Sequence, residues 1–279
     1  MNIDLHTHTT ASDGTLTPQE LVEEAKRQGV EALGITDHDT TEGLEKAQEA
    51  GERYDVEIIP GIEVNTDLDG TEVHLLGYFL DYQGGDIQET LQGIRNERLV
   101  RAWKIMERLK ALGMEVSESS VMDVAQGQSV CRPHIARALV EGGYCVSVKE
   151  AFDKYLKKGR KAYVPRNSLT PEEAIQLIGR SGGVPVLAHP GLVRRDELIP
   201  SLVDSGLQGL EVYYGRHTPE VTQHYLEMAA HYGLVQTGGS DFHGPTDGLH
   251  GSLGKLEMPE GILADLKDSW SKLTGKKEV

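Results

Sequence analysis

Histidine and carboxylate residues recur along this sequence in pairs whose spacing suits a metal site. The first segment, "DLHTHTTASDG", places His6 and His8 two residues apart and follows them with Asp13. On a β-strand, side chains two residues apart point to the same face and are separated by about 6.6 Å along the strand. Asp241 and His243 in "GSDFHG" repeat this spacing near the other end of the chain. Imidazole and carboxylate ligands without thiolates suit Zn²⁺, Mn²⁺ or Fe ions.

Other histidines and acids stand where predicted strands end. Seven apolar runs rich in β-branched residues predict strands: "NIDLHTH", "ALGITDH", "EIIPGIEVN", "EVHLLGYF", "VPVLAHP", "GLEVYY" and "LVQTGGSDFH". Six of the seven finish on or just before a His, Asp or Glu, whereas the fourth carries His74 near its start. The carboxyl ends of parallel barrel strands open on one face, so these side chains should converge there. Those that stand at strand ends are His6, His8, Asp37, His38, Glu63, His189, His217, Asp241 and His243.

Helical patterns lie between most of the predicted strands. In "LTPQELVEEAKRQG", Thr17 can cap a helix, Pro18 suits its first position and Glu20 completes a capping box. "LTPEEAIQLIGRSGG" has the same start signals. Alternation of strands and helices predicts an α/β fold with a parallel sheet. Seven such units over this length favour a closed or nearly closed barrel over an open sheet.

The segment from 85 to 164 interrupts this alternation with three helical stretches and no strand signal. We therefore predict a barrel formed by residues 1–84 and 165–279, with residues 85–164 inserted as a small helical subdomain. Within the insertion, "RNERLVRAWKIMERLK" predicts a helix with a solvated charged face. Leu99, Trp103 and Met106 recur there at helical spacing and are expected to face the core.

Charge and composition limit the classes of partner. The formal net charge is −16 and the basic residues are scattered, which argues against a protein that follows a long phosphate backbone. Any nucleic-acid contact should be local, such as a nucleotide or a chain end. No apolar run approaches the roughly 18 residues of a membrane span. Cys131 and Cys145 form no redox or metal motif and no secretory signal is evident, so we expect a cytoplasmic protein.

Taken together and in order, the motifs "DLHTHTTASDG", "ITDHDT", "GIEVN", "HLLGY", "AHP" and "GSDFHG" resemble those of the PHP (polymerase and histidinol phosphatase) family. The resemblance covers essentially the whole chain. The insertion with "CRPHIARALV" is similar to the PHP subfamily that hydrolyses nucleoside 3′,5′-bisphosphates to nucleoside 5′-monophosphates and trims short RNA from the 5′ end.

This resemblance implies a distorted seven-stranded (β/α) TIM-like barrel that binds two or three divalent metal ions. Mn²⁺ is the expected metal, with Zn²⁺ or Fe²⁺ as alternatives. The implied ligands are His6, His8, Glu63 and Asp241 for a first metal, Glu63, His74 and His189 for a second, and Asp13, His38 and His243 for a third. Many relatives have cysteine where this chain has His189, which leaves the metal identity open.

The resemblance also implies the chemistry. Two metals bridged by Glu63 would lower the pKa of a water, which attacks phosphorus in line with the departing oxygen. The same ions would stabilise negative charge on the phosphate oxygens. From their positions at strand ends, Asp37 and His217 are catalytic candidates beside Glu63. Asp37 could protonate the leaving group or orient a ligand, or it could only support the ligands from behind, and His217 could line the site.

The substrate-binding candidates lie in and beside the insertion. Arg132 and His134 stand at the start of a predicted helix, where backbone N–H groups favour anions. An arginine binds phosphate through two hydrogen bonds. The resemblance implies that these two residues reach over the metals, so that the insertion caps the active site. Arg166, at the return to the barrel, is a third candidate, and the plainer alternative is a helix cap beside surface arginines.

Other functions remain open at this point. The protein could be a phosphatase of a small metabolite such as histidinol phosphate, or a C–N hydrolase on a related barrel. It could also be a metal-binding module without catalysis, although such modules tend to have lost ligands. No role is predicted for His224, His231 and His250.

Overall fold

Seven strands form one sheet in the computed structural model of the chain, in the order in which they occur in the sequence. The structure describes residues 1–125, 130–165, 169–245 and 250–276. The strands are β1 (Ile3–Asp4), β2 (Ala32–Ile35), β3 (Glu57–Leu68), β4 (Thr71–Tyr78), β5 (Val184–Leu187), β6 (Gly209–Tyr214) and β7 (Val235–Gly239).

Hydrogen bonds between β7 or the residue pair that follows it and the residues just after β1 nearly close this sheet into a barrel. The backbone N–H of Leu5 donates to the carbonyl of Gly238 (3.2 Å), and that of Asp241 donates to the carbonyl of His6 (2.9 Å). The predicted α/β barrel with seven strands is thereby confirmed.

β4 is the exception to the expected parallel sheet, because it pairs antiparallel with both β3 and β5. The other described pairs are parallel. The cause is the turn at Asp69 and Gly70, which both have positive φ (53° and 76°). Such a two-residue turn joins antiparallel strands, whereas a parallel pair needs a crossover of a dozen or more residues. The expectation that all seven strands run parallel is therefore wrong at β4.

This reversal changes which end of β4 meets the carboxyl ends of its neighbours. His74 lies near the start of β4 and is paired with Asn65, near the end of β3. A histidine at the start of the reversed strand thus reaches the same rim as the residues that end the parallel strands.

Eleven α-helices accompany the sheet among the described residues. They are α1 (Pro18–Arg27), α2 (Leu44–Tyr54), α3 (Gly85–Ala111), α4 (Glu118–Ala125), α5 (Arg132–Glu141), α6 (Val148–Ala151), α7 (Pro171–Arg180), α8 (Pro190–Val193), α9 (Ile199–Asp204), α10 (Pro219–Tyr232) and α11 (Ile262–Thr274). The predicted capping box of α1 forms between Thr17 and Glu20. No helix in the described ranges is both long and apolar enough to cross a membrane.

Contacts divide the chain into two units, Met1–Gln88 with Leu169–Val279, and Glu89–Ser168. The second unit has its own apolar core, in which Ala102 and Ile105 of α3 are buried, and Leu99 and Met106 pack against it. Trp103 is 40% exposed, so its predicted core position is wrong. Each helical residue is rotated by about 100° from its neighbour, and burial of Ala102 turns Trp103 outward. The predicted domain limits, 1–84 with 165–279 and 85–164, stay predictions.

The closure of the barrel at β7 makes a first prediction. A Cβ on Gly239 would overlap the backbone nitrogen and the Cβ of His6. We expect Gly239→Ala to lower the free energy of unfolding by about 1–3 kcal/mol, as overpacking does. Gly179→Ala is the matched control in α7, where a Cβ meets nothing within 4 Å, and it should stabilise by about 0.5–1 kcal/mol. Urea unfolding measures both, and wild-type stability in Gly239→Ala would contradict the close approach.

Candidate metal centre

The predicted metal ligands gather at the end of the barrel where the parallel strands finish and β4 begins. His6, His8 and Asp13 follow β1, His38 follows β2, Glu63 lies in β3, His74 lies in β4, His189 follows β5, and Asp241 and His243 follow β7. All are buried except His38 and His74, which are partly buried.

The centre of this cluster is the carboxylate of Glu63, whose side chain is fully buried. Its Oε2 lies 3.2 Å from Nε2 of His6, 3.2 Å from Nε2 of His8 and 3.0 Å from Nδ1 of His38. The two Nε2 atoms of His6 and His8 also lie 3.1 Å from each other. Three imidazole nitrogens therefore point at one carboxylate oxygen.

The other oxygen of Glu63 contacts a second set of imidazoles. Its Oε1 lies 2.8 Å from Nδ1 of His74 and 3.0 Å from Nε2 of His189. One carboxylate thus stands between two groups of histidines. This arrangement agrees with the metal-bridging role predicted for Glu63, and that role stays a prediction.

Two aspartates complete the cluster. Oδ1 of Asp241 lies 3.4 Å from Nε2 of His6 and 3.2 Å from Nε2 of His8. Oδ1 of Asp13 lies 3.2 Å from Nε2 of His243 and 3.9 Å from Nδ1 of His8. His8 therefore stands between both carboxylates.

These contacts form groups of ligand atoms within 4.8 Å of one another. The groups are His6, His8, Glu63 and Asp241; His8, Asp13, His38 and His243; His38, Glu63 and His74; and Asp241, His243 and His250. The first group is the ligand set expected for the first metal. The second group contains the ligands expected for the third metal, with His8 in addition. His250, for which no role was predicted, stacks on His243 with ring centres 4.1 Å apart.

The hydrogen bonding of the cluster fits bound cations. Oε2 of Glu63, Nδ1 of His8 and Nδ1 of His189 are buried and have no hydrogen-bond partner within the described parts of the chain. An ionised carboxylate or an imidazole buried without a partner costs free energy. Divalent ions beside Oε2 of Glu63 and Nδ1 of His8 would supply the missing interactions of those two atoms. The residues present therefore fit metal ions.

Burial and neighbouring charges set the protonation of the ligand side chains. Burial would raise the pKa of Glu63, but the imidazoles around it hold it well below its usual range. Burial lowers the pKa of His38 to about 3, so that its ring is neutral and keeps a lone pair. Burial also opposes protonation of His8, yet the nearby carboxylates of Asp241 and Glu63 raise its pKa to about 9. A metal ion at His8 therefore competes with a proton.

Two residues that sequence reasoning missed support the ligands. Glu211 of β6 is fully buried, with Oε1 2.9 Å from Nδ1 of His6. Its Oε2 accepts a hydrogen bond from the backbone N–H of His189 (2.7 Å). The hydroxyl of Tyr214 donates to Oδ2 of Asp241 (3.0 Å). The signal in the sequence was the glutamate inside the otherwise apolar run "GLEVYY".

Asp37 organises the loop after β1. It accepts hydrogen bonds from the backbone N–H (2.8 Å) and hydroxyl (2.7 Å) of Thr9 and from the hydroxyl of Ser12 (2.6 Å). Its contacts are with Thr9 and Ser12 and with none of the predicted metal ligands, so orientation of a ligand by Asp37 stays a prediction. Proton donation by Asp37 stays a prediction.

His217 is held at both ring nitrogens. Nδ1 lies 2.9 Å from the carbonyl of Val212, and Nε2 lies 3.2 Å from the backbone nitrogen of Gly191, whose N–H donates to it. Burial lowers the pKa of His217, which favours the neutral ring that this pattern needs. Its predicted catalytic role stays a prediction.

The predicted phosphate-binding residues Arg132 and His134 lie in α5, which belongs to the second unit, Glu89–Ser168. Arg132 begins α5, and its guanidinium carbon lies 5.7 Å from the centre of the Phe152 ring. Nδ1 of His134 accepts a hydrogen bond from the backbone N–H of Cys131 (3.1 Å) and so caps the helix. Arg166 lies outside the described residues. Substrate binding by these three residues stays a prediction.

The PHP domain family matches residues 4–162 of the chain. The "5′-3′ exoribonuclease Rnm" of Escherichia coli is 37% identical over 93% of this chain and 90% of its own length. The "3′,5′-nucleoside bisphosphate phosphatase" of Chromobacterium violaceum is 34% identical over 88% of this chain and 89% of its own length. The "Phosphoribosyl 1,2-cyclic phosphate 1,2-diphosphodiesterase" of Eggerthella lenta is 36% identical over 86% of this chain and 94% of its own length.

A solved structure agrees with these relatives. The chain is similar to a crystal structure from Bifidobacterium adolescentis that was assigned as a metal-dependent phosphoesterase, with 33% identity and a TM-score of 0.88. The match covers 96% of each chain.

The central position of Glu63 makes a second prediction. We expect Glu63→Gln to weaken metal binding by more than about 100-fold, because loss of a bridging carboxylate should exceed the 10–100-fold that loss of a supporting partner costs. Metal content after gel filtration and titration calorimetry measure this. Glu57→Gln is the control on the same strand, where the carboxylate pairs with Lys267 (2.7 Å) instead of the cluster. Equal metal binding by Glu63→Gln and wild type would contradict the bridging geometry.

Proposed function

The chain belongs to the PHP domain family and is a metal-dependent phosphoesterase, and we propose that its substrates are nucleoside 3′,5′-bisphosphates and the 5′ ends of short RNA. On the bisphosphate it would remove the 3′-phosphate and leave the nucleoside 5′-monophosphate. The observation that carries this function is the buried carboxylate of Glu63, with histidines of the cluster facing both of its oxygens.

His6, His8, Glu63 and Asp241 would hold one divalent ion, Glu63, His74 and His189 a second, and Asp13, His38 and His243 a third, with Mn²⁺ as the expected metal. Bound there, the ions would offset negative charge on phosphate oxygens and lower the pKa of a water toward neutrality. Glu63 and Asp241 supply anionic oxygens from buried side chains. The neutral ring of His38 supplies a lone pair without first losing a proton.

Two of the relatives support nucleotide substrates. One is named as a 5′-3′ exoribonuclease and another as a 3′,5′-nucleoside bisphosphate phosphatase. Removal of a 3′-phosphate and release of a 5′-terminal nucleoside 5′-monophosphate both break a bond between phosphorus and a nucleoside 3′ oxygen. One metal centre can therefore serve both substrates. The net charge of −16 agrees with binding at a chain end instead of along a nucleic-acid strand.

Phosphate binding is proposed for Arg132 and His134, with Arg166 as a third contributor. A guanidinium binds a phosphate through two charge-assisted hydrogen bonds. Arg132 occupies the first turn of α5, where backbone N–H groups lack helical partners and favour anions.

A small-molecule substrate is the second candidate, and the relative that is named as a cyclic-phosphate diphosphodiesterase favours it. The predicted alternative, a phosphatase of histidinol phosphate, belongs to the same class. Both compounds lack a nucleobase. A comparison of substrates with and without a base therefore separates the two candidates.

The substrate panel makes a third prediction. With Mn²⁺, we expect turnover of adenosine 3′,5′-bisphosphate and of a short 5′-phosphorylated RNA, and little turnover of histidinol phosphate or phosphoribosyl 1,2-cyclic phosphate. A chelator should abolish turnover. Loss of a residue that only supports a metal ligand costs 10–100-fold in activity, so loss of the proposed ligand in His189→Ala should lower kcat by roughly 100-fold or more. His231→Ala, an exposed histidine of α10, is the matched control. Turnover confined to the two compounds without a base would contradict the proposed substrate.

Phosphate binding makes a fourth prediction. Loss of a hydrogen bond to a charged group costs about 1.5–3 kcal/mol, so Arg132→Ala should raise KM for the bisphosphate by about 10- to 100-fold with unchanged metal content. Arg137→Ala, on the same helix, is the control. Steady-state kinetics with a parallel metal assay measure both. Unchanged kinetics in Arg132→Ala would remove that residue from the substrate site.

A further inference from the structure

β6 supplies none of the predicted metal ligands, although each of the other six strands contains or leads into at least one. Two side chains of β6, Glu211 and Tyr214, are nevertheless buried and contact the cluster. We propose that β6 is a positioning strand, in which Glu211 and Tyr214 fix the orientation of three metal ligands: His6, His189 and Asp241. This inference rests on the proposed metal site and adds two residues to it.

A β-bulge allows both side chains of β6 to face the cluster. Glu211 pairs with Thr237 and Tyr213 pairs with Gly238, so that Val212 is an extra residue on β6. In a regular strand, residues 211 and 214 would face opposite sides of the sheet. The bulge resets the alternation and re-aims a side chain, as bulges beside active sites do. Tyr213 is half-buried and contacts Gln236 (3.3 Å) instead.

The carboxylate of Glu211 makes two hydrogen bonds that only a carboxylate can make together. Oε1 faces Nδ1 of His6 (2.9 Å), and Oε2 accepts from the backbone N–H of His189 (2.7 Å). An N–H at Nδ1 of His6 leaves Nε2 as the atom with the lone pair. That Nε2 atom is the one that faces Glu63 and Asp241. A carboxylate with two acceptor oxygens therefore sets the tautomer of His6 and holds the backbone conformation of His189.

The backbone of His189 needs this support. His189 has φ 28° and ψ 57°, in the left-handed region that residues other than glycine rarely adopt. The hydrogen bond from its N–H to Glu211 holds this conformation. The same conformation directs the imidazole to Oε1 of Glu63.

Tyr214 acts in the same way on the third ligand. Its hydroxyl donates to Oδ2 of Asp241 (3.0 Å), while Oδ1 of Asp241 faces the imidazoles of His6 and His8. The two carboxylate oxygens of Asp241 thereby have separate roles. Through Glu211 and Tyr214, one strand orients ligands on both sides of the bridging Glu63.

Substitution of Glu211 by glutamine tests the tautomer argument, because glutamine has one acceptor oxygen and one NH₂ group. If the oxygen accepts from His189, the NH₂ group faces His6 and forces its N–H to Nε2, the side that should bind the metal. If the amide is reversed, the N–H of His189 loses its acceptor. We expect Glu211→Gln to weaken Mn²⁺ binding by about 10- to 100-fold in titration calorimetry.

Tyr214→Phe and Tyr213→Phe form a matched pair, since each removes one hydroxyl from neighbouring residues of β6. We expect Tyr214→Phe to weaken Mn²⁺ binding by several-fold to about 10-fold, the lower end of the range for a supporting group. Tyr213→Phe should bind Mn²⁺ as the wild type does. Thermal unfolding of the metal-free proteins identifies any variant that fails to fold.

An NMR measurement on the Zn²⁺-loaded wild-type protein gives a readout that does not depend on folding of a variant. Long-range ¹H–¹⁵N spectra should show the proton of His6 on Nδ1. A proton on Nε2 would overturn the role of Glu211, and so would wild-type affinity in Glu211→Gln. Wild-type affinity in Tyr214→Phe would overturn the role of Tyr214. Absence of metal binding by the wild type would overturn the proposed function and this inference together, whereas tight binding that is equal in all variants would overturn this inference alone.

Discussion

The arrangement of the barrel end depends on one buried carboxylate, that of Glu63. An ionised carboxylate in the interior is stable only where charge or hydrogen bonds compensate for the water it has lost. Here the compensation comes from imidazoles on or after four other strands, namely His6, His8, His38, His74 and His189. The imidazoles leave Oε2 of Glu63 without a hydrogen bond of good geometry among the described residues, and a cation would complete its surroundings.

The direction of β4 is what allows His74 to join this cluster. A strand that ran parallel to its neighbours would carry a histidine near its start to the opposite end of the barrel. The tight turn at Asp69 and Gly70 reverses the chain and brings His74 within 2.8 Å of Oε1 of Glu63. The turn is therefore as necessary to the metal centre as the ligand itself. The bulge in β6 has a comparable effect, because it directs both Glu211 and Tyr214 to the cluster.

The sequence predicts the ligands better than it predicts what supports them. Pairs such as His6 and His8 are visible because a strand places residues i and i+2 on one face, and the family resemblance assigned them to metals. The dipeptide Asp69-Gly70 is a strong hairpin signal, but the regular alternation of strands and helices favoured a parallel β4. Glu211 was overlooked because a polar residue within a strand usually faces solvent, and only the closed barrel shows that this position faces inward.

Trp103 shows a different limit of sequence reasoning. Its spacing from Leu99 and Met106 fits a buried helical stripe, and these two neighbours do pack against the core. The tryptophan is 40% exposed because the buried stripe passes through Ala102 and Ile105. Helical periodicity alone allowed several stripes on α3, and only the tertiary contacts select one of them.

The central claim is that Glu63 and the histidines around it hold divalent metal ions. Anomalous X-ray diffraction from crystals grown with Mn²⁺ tests this claim most directly, because it locates the metal without an assay or a substituted residue. We expect anomalous peaks on both sides of the Glu63 carboxylate, within coordination distance of the histidine nitrogens that face it. Ordered Mn²⁺ elsewhere in the crystal, with none beside Glu63, would contradict the account.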